Sequence, residues 1–203
     1  SEVEVRKVAL SNLTFGYDPE SGFLGTQTKG EGEFSFACSE YDKILLIFKN
    51  GLYKVISVTD KLFVGHDVIW CGKAGGKIVF NIIYKDGEQN LSFVKRFKSP
   101  KFILEKEYRL FEEHKKSEIQ YLSTKDEGAI RINFVPNKRA RSNSTEFAFN
   151  EFLIKGVGAI GKRISNRTVR RITEIAAKSG PQEVDPPQRS LFEADKKEGP
   201  EST

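Results

Sequence analysis

The side chains in this sequence best able to do chemistry are basic, and they concentrate in one segment. Residues 136–171 contain nine Lys and Arg but only two Glu, a net charge of +7. Cationic side chains at this density attract phosphates or acidic proteins. The segment therefore predicts a polyanion-binding surface built from Lys138, Arg139, Arg141, Lys155, Lys162, Arg163, Arg167, Arg170 and Arg171.

Three glycines lie within this segment, between Lys155 and Arg163. The spacing Gly156-x-Gly158-x-x-Gly161 matches a dinucleotide-binding loop, but no helical pattern begins at the third glycine and no βαβ unit surrounds it. Two compatible interpretations stay open. Glycines let backbone amides approach phosphates, which makes Gly156 and Gly158 candidate contacts. They also suit a tight connection between structural units.

No arrangement typical of catalysis or metal binding accompanies the basic segment. Cys38 and Cys71 have no second Cys or His at metal-ligand spacing, which predicts two buried, reduced thiols. His66 and His114 have no acid or nucleophile near them, and the H-E-x-x-H, G-x-S-x-G and P-loop motifs are absent from the sequence. We therefore expect no catalytic residue, metal or cofactor in this chain.

The overall composition is that of a soluble globular protein. Of 203 residues, 38% are hydrophobic and 30% charged, and the net charge is +5. No apolar run approaches the ~20 residues of a membrane helix, and the first residues lack the features of a signal peptide. The sequence contains no Met, even at position 1, which suggests a piece of a longer protein.

The last residues, 178–203, differ in composition from the rest. They contain four prolines, two glycines and a net charge of −2. Such a segment buries too little apolar surface to offset the entropy lost on ordering. We predict that it is disordered and that residues 1–177 form the folded domain.

Short apolar runs bounded by turn residues predict a β protein. Two of these runs, Ile44–Phe48 and 79–84, are followed by Asn50-Gly51 and Asp86-Gly87, which predict hairpins with type I′ turns. A third hairpin is predicted at 125–128. The hairpin glycines repeat at roughly 40 residues, which is typical of a propeller-like array of about four blades with about four strands each. A helical turn or two within 103–116 is the one competing interpretation.

The strand that follows each predicted hairpin carries basic residues between apolar ones. Alternation along a strand sends the apolar side chains inward and the basic ones to solvent. The same pattern occurs near both ends of the domain, so we predict a basic track along one surface. A merely solvated strand face is the alternative. The track consists of Arg6, Lys7, Lys54, Lys95, Arg96 and Arg131, with Arg170 and Arg171.

The order and spacing of these features resemble the C-terminal β-pinwheel domain of the A subunit of bacterial type IIA topoisomerases, DNA gyrase and topoisomerase IV. The best-matching stretches are Tyr41–Val55 and Leu153–Ile164, and the resemblance extends over residues 3–175. It implies an all-β pinwheel that is itself non-catalytic and that holds and bends duplex DNA on a basic outer surface. The DNA-cleaving Tyr would lie in upstream domains.

The resemblance departs from gyrase at one motif. Gyrase A subunits carry a box of the type Q-[RK]-R-G-G-[RK]-G after the first hairpin, where this chain has Gln27–Glu33. Glu31 and Glu33 place carboxylates where phosphates would be repelled. The departure favours a topoisomerase IV-like parent that relaxes or decatenates DNA over a supercoiling gyrase, and it implies weaker DNA wrapping.

The same resemblance implies partners and a location. The expected partners are double-stranded DNA, the catalytic core that lies upstream in the same polypeptide, and the ATPase B subunit. An ATP-dependent, nucleoid-associated enzyme in the cytoplasm is the expected parent. The alternative from a different class is a propeller-type protein-interaction module whose basic face meets acidic partners.

Deletion of residues 178–203 tests the predicted tail. Because the tail carries a net charge of −2, we expect its removal to leave folding unchanged and duplex DNA affinity unchanged or slightly higher. Circular dichroism and a fluorescence titration with duplex DNA measure the two properties. A large loss of affinity on deletion would show that the tail contacts DNA.

Overall fold

The computed structural model describes residues 12–176, and these form sixteen β-strands, two single-turn 3-10 helices and no α-helix. The predicted disordered tail and the track residues Arg6 and Lys7 lie outside the described residues. Within the described part, no helix is long and apolar enough to cross a membrane.

The strands are short and follow one another closely. Their bounds are β1 (Leu13–Asp18), β2 (Phe23–Gly25), β3 (Ser35–Cys38), β4 (Lys43–Phe48), β5 (Leu52–Ser57), β6 (Leu62–Phe63), β7 (Val68–Lys73), β8 (Val79–Asp86), β9 (Leu91–Lys98), β10 (Tyr108–Arg109), β11 (Glu118–Ser123), β12 (Ala129–Phe134), β13 (Ser144–Ala148), β14 (Ile154–Lys155), β15 (Lys162–Arg163) and β16 (Val169–Ile175).

Four sheets contain these strands, in the orders β3-β1-β2-β6, β10-β5-β4-β7, β11-β8-β9-β14 with β15 also on β9, and β13-β12-β16. All pairs are antiparallel except β14 with β9. The chain builds the second, third and fourth sheets by one repeated path; the first unit, β1 to β3, has no preceding sheet among the described residues. A hairpin forms, the chain leaves to pair with the second hairpin strand of the preceding sheet, and it returns to pair with the first strand of its own hairpin.

We call each such set a unit and the departing segment its excursion. The second unit comprises β4, β5 and β7, and its excursion strand β6 pairs with β2 of the first unit. The excursion strand β10 of the third unit pairs with β5 in the same way. The excursion strands β14 and β15 of the fourth unit both pair with β9. Each sheet from the first to the third is therefore completed by the unit that follows it.

Apolar side chains of neighbouring units pack face to face and form three cores. In β4, Ile44 and Leu46 contact the first unit, whereas Leu45 and Ile47 contact the third. The third and fourth units share a core that includes Ile83. A strand covered on both faces needs apolar residues at successive positions, which explains the unbroken run in β4. The predicted all-β pinwheel of about four blades is confirmed.

Two predicted hairpins occur where expected, but with different turns. The Gly51 N–H donates to the Phe48 carbonyl at 3.0 Å, and Gly51 has a φ of +85° while Asn50 is not in the left-handed region. This is a turn followed by a glycine bulge, so the type I′ prediction is wrong. In the β8–β9 hairpin the left-handed residue is Asn90, with a φ of +55°, and not Gly87.

The third predicted hairpin, at residues 125–128, is wrong. The strands on either side, β11 and β12, lie in different sheets, so this segment passes from the third unit to the fourth. The hairpin of the fourth unit is β12–β13, with residues 135–143 as its loop. The competing helix over 103–116 is also wrong, because this segment forms turns and β10.

Gly51→Val tests the bulge in the first of these hairpins. A Cβ at Gly51 would lie 2.5 Å from Cζ of Phe111 and would require a φ of +85°. We expect the free energy of unfolding in urea to fall by at least about 2 kcal/mol. Gly156→Val is the control, because a Cβ there meets no atom within 4 Å. Equal stability of the two variants would contradict the assignment of a glycine bulge at Gly51.

Candidate nucleic-acid interface

The excursion of the fourth unit contains the glycine-rich basic segment found in the sequence. We call residues 152–168 the connector. Its first strand pairs with β9 in parallel, Ile154 opposite Arg96, and its second pairs with β9 in antiparallel, Lys162 opposite Val94. Between them the chain makes a turn closed by the Ala159 N–H and the Gly156 carbonyl at 3.0 Å. The loop therefore projects from β9 with both of its ends fixed.

Two buried cations of β9, Lys95 and Arg96, donate hydrogen bonds to backbone carbonyls of the connector. The Lys95 ammonium donates to the Leu110 carbonyl at 2.7 Å and to the Val157 carbonyl. The Arg96 guanidinium donates to the Phe152 carbonyl at 3.0 Å. Lys95 and Arg96 are only 3% and 7% exposed.

Arg96 is satisfied on its other sides as well. Its Nε donates to Oδ1 of Asn81 at 2.8 Å, and its Nη2 lies 3.2 Å from Oδ1 of Asp126. Asp126 and Asn81 thus complete the partners that a buried guanidinium needs. The charge of Arg96 is used inside the molecule.

The prediction that the Lys95 and Arg96 side chains point to solvent is wrong, and their burial argues against a direct contact with DNA. The alternation rule requires a strand with one solvated face, whereas every residue of β9 from Ser92 to Phe97 is buried. Burial lowers the pKa of Lys95 to about 8, since desolvation disfavours the ammonium form. Both side chains donate hydrogen bonds to connector carbonyls and so position the connector.

Most of the other predicted contacts are exposed. Arg131 lies at the surface but is paired with Glu146 at 2.6 Å, and Lys54 is half-buried. The ammonium of Lys162 lies 5.7 Å from the centre of the Phe152 ring, within cation–π range. The remaining exposed members are Lys138, Arg139, Arg141, Lys155, Arg163, Arg170 and Arg171.

Arg167 joins the connector to the basic hairpin loop, residues 135–143. Its guanidinium donates to the Ser142 carbonyl at 2.7 Å and to the Val135 carbonyl and Asn143 Oδ1, both at 2.6 Å. It also stacks over the Phe134 ring at 5.2 Å. Arg167 is therefore half-buried and acts mainly by fixing the loop that carries Lys138, Arg139 and Arg141.

The three glycines of the connector have different roles. A Cβ at Gly161 would lie 2.7 Å from the Val94 carbonyl oxygen, and the Gly161 N–H donates to the Tyr84 hydroxyl at 3.0 Å. Gly161 thus permits close packing, as the structural interpretation predicts. Gly156 and Gly158 are exposed, with open space where a side chain would stand. Their contact with phosphate stays a prediction.

The box-like segment Gln27–Glu33 belongs to the excursion of the first unit, at the same point of the repeat as the connector. It folds back onto its own sheet. The packing there is so close that a Cβ at Gly16 would overlap the Thr28 carbonyl oxygen. The Gln27 N–H donates to the Asp60 carbonyl at 2.9 Å. The box and the connector are thus equivalent elements, one carrying Glu31 and Glu33 and the other only basic charge.

Comparison with known proteins identifies the family. The family model described as topoisomerase C-terminal domain, Bacteroidota, matches residues 14–176. The chain belongs to this family. The resemblance to the C-terminal domains of topoisomerase A subunits, noted in the sequence, is confirmed.

Two individual proteins are similar to this chain. The chain is 29% identical over 176 residues to the A subunit of DNA topoisomerase 4 from Borreliella burgdorferi, and the match covers 83% of the chain and 26% of that protein. The chain thus spans about a quarter of the length of this curated relative. The crystal structure of the C-terminal domain of DNA topoisomerase IV aligns with a TM-score of 0.46 and 11% identity, over 81% of this chain and 61% of that one.

The buried Lys95 predicts an unusual pH dependence of stability. Its pKa is about 8 when folded and about 10.4 when unfolded, so the unfolded chain binds more protons between these pH values. The penalty for burying the ammonium is complete below pH 8 and disappears as the pH rises towards 10.4. Relative to Lys95→Met, we expect the parent to gain about 1–2 kcal/mol of unfolding free energy from pH 7.5 to 9.5.

Urea unfolding at the two pH values measures this gain. Lys54→Met is the matched control, since Lys54 occupies the corresponding strand of the second unit but is half-exposed. Parallel pH profiles for the parent and Lys95→Met would contradict the assigned burial of the charge.

Proposed function

We propose that this chain is the DNA-binding and DNA-bending domain of a type IIA topoisomerase A subunit, and that its connector is the main contact with duplex DNA. One observation carries the proposal: residues 152–168 contain four basic residues and no acidic one, on a loop fixed at both ends to β9. A rigid, exposed surface with charge of one sign suits the phosphate backbone, because phosphates form an extended array of the opposite sign.

The proposed contacts lie on the fourth unit. Lys155, Lys162 and Arg163 extend from β14 and β15, while Arg170 and Arg171 continue the charge along β16. These side chains bind phosphates, and the backbone amides of Gly156 and Gly158 add donors where no side chain intervenes. Such contacts carry no base specificity, so the domain binds duplex DNA of any sequence.

In the parent enzyme this domain holds one DNA segment and presents it to the catalytic core. Strand cleavage belongs to a Tyr in the upstream domains, and ATP hydrolysis belongs to the B subunit. The carboxylates of Glu31 and Glu33 in the box-like segment weaken phosphate binding at the first unit. The parent therefore relaxes or decatenates DNA, as a topoisomerase IV does, in the cytoplasm at the nucleoid.

A quadruple variant tests the proposed surface. Replacing Lys162, Arg163, Arg170 and Arg171 with Ala should weaken binding to all duplex sequences alike. The slope of log affinity against log salt should become shallower by roughly 0.9 for each phosphate that is no longer neutralised. DNA bending should fall too, because bending a 20–30 bp site costs of order 1–6 kcal/mol and several phosphate interactions must offset it.

The matched control removes the same charge elsewhere. Lys73, Lys77, Lys101 and Lys115 are exposed lysines of the second and third units, and their replacement with Ala should cost less affinity. Fluorescence anisotropy with a random-sequence duplex over a range of salt concentrations measures both variants. If the quadruple variant binds and bends DNA like the parent at about 0.1 M salt, the basic residues face solvent without contacting DNA, and the proposed interface is wrong.

A further inference from the structure

Large hydrophobic side chains are exposed mainly on the excursions. Of nine exposed large hydrophobic residues in the described part of the chain, seven lie on the second, third and fourth excursions and not between units. Scattered exposed apolar residues are ordinary, but their concentration on one type of element requires a reason. The seven are Leu62, Phe63, Ile103, Leu104, Leu153, Ile154 and Ile160.

The two most exposed of them are both in the connector. Leu153 is 81% exposed and Ile160 is 77% exposed. Together with Lys155 and Lys162 they line one surface groove of about 280 Å³. Glu151 also lines this groove, but its carboxylate accepts a hydrogen bond from the Ala148 N–H at 3.2 Å.

The backbone on both sides of these two residues is fixed. Leu153 follows Phe152, whose carbonyl accepts from Arg96 at 3.0 Å, and precedes Ile154, which pairs with β9. Ile160 precedes Gly161, whose N–H donates to the Tyr84 hydroxyl at 3.0 Å. The two aliphatic side chains are therefore exposed to solvent, while the backbone that carries them is held by hydrogen bonds.

The charge around the exposed residues differs between excursions. Around Leu153 and Ile160, residues 152–168 carry four basic side chains and no acidic one, whereas residues 99–117, around Ile103 and Leu104, carry five basic and four acidic. A polyanion is attracted to the first environment and gains much less from the second. The groove that holds the two aliphatic side chains is lined by Lys155 and Lys162 and by one carboxylate, Glu151. The partner that complements aliphatic side chains in a mainly cationic setting is a nucleic acid, which has phosphates outside and apolar base faces inside.

We propose that Leu153 and Ile160 are wedges that enter the minor groove of the bound duplex and partly unstack a base step, so that the DNA kinks at the fourth unit. This inference rests on the proposed DNA-binding function. Proteins that bend DNA use Leu and Ile in this way beside Arg and Lys that hold the flanking phosphates. The connector supplies both kinds of side chain on one rigid loop.

The double variant Leu153→Ser/Ile160→Ser tests the wedges in the full 203-residue chain. The probe is a duplex of about 30 bp with central T-A steps, which unstack most readily. It carries a fluorophore pair at its ends for bending and a 2-aminopurine at the central step for unstacking. The control is Ile103→Ser/Leu104→Ser, which removes exposed aliphatic side chains beside Glu105 and Glu107.

We expect the connector variant to lose the 2-aminopurine increase and a kink of the order of 20–90°. Its salt slope should match that of the parent, because no charge is removed. The control variant should bind and bend DNA like the parent. Both variants should keep the parent's thermal midpoint, since all four side chains are exposed.

The outcomes separate this inference from the function on which it rests. If the parent binds and bends the duplex and the connector variant does so equally, the wedge is overturned and the groove is left to a protein partner. Equal losses in the control variant would also overturn it, because the effect would not belong to the connector. If the parent does not bind the duplex at all, the proposed function itself fails.

Discussion

The structure depends on the completion of each of the first three sheets by the unit that follows it. A strand with an open edge exposes unpaired N–H and C=O groups, and a single hairpin buries too little apolar surface to be stable alone. In this chain the edges of β2, β5 and β9 are covered by excursions of the next units, so the pairing that satisfies the backbone also joins the units. Face-to-face cores then hold adjacent sheets together.

The same exchange produces the candidate interface. Because the excursion of the fourth unit must reach β9, a basic loop is brought over a strand that carries two cations of its own. The connector exposes three cations, Lys155, Lys162 and Arg163. Burying two more cations beneath them would be unfavourable unless the buried pair had hydrogen-bond partners. Lys95 and Arg96 satisfy this requirement by donating to carbonyls of the connector and of the third excursion. The two buried cations of β9 thus fix the backbone of the loop that carries the exposed cations.

Sequence reasoning could predict what local patterns encode. The β4–β5 and β8–β9 hairpins have apolar runs separated by turn residues, and the basic connector has a distinctive composition. The excursion strands could not be found, because two-residue strands such as β6 and β10 carry no periodicity and are defined only by their partners. The burial of Lys95 and Arg96 was missed for the same reason, since β14 and β15, which cover them, lie far along the chain. From the sequence alone, Arg167 is one more basic residue of a basic segment. Only its hydrogen bonds to the 135–143 loop show that it positions that loop.

The exchanged strands also set the order in which the chain can fold. Leu24 pairs with Leu62, Tyr53 with Tyr108 and Val94 with Lys162, so the sequence separation between partners increases towards the C-terminus. Contacts of this range are slow to form because loop closure precedes any gain from pairing. During synthesis, each of the first three sheets is completed only when a segment that follows the next hairpin has left the ribosome. A pause in translation within a unit therefore leaves the preceding sheet with an uncovered edge that is open to aggregation.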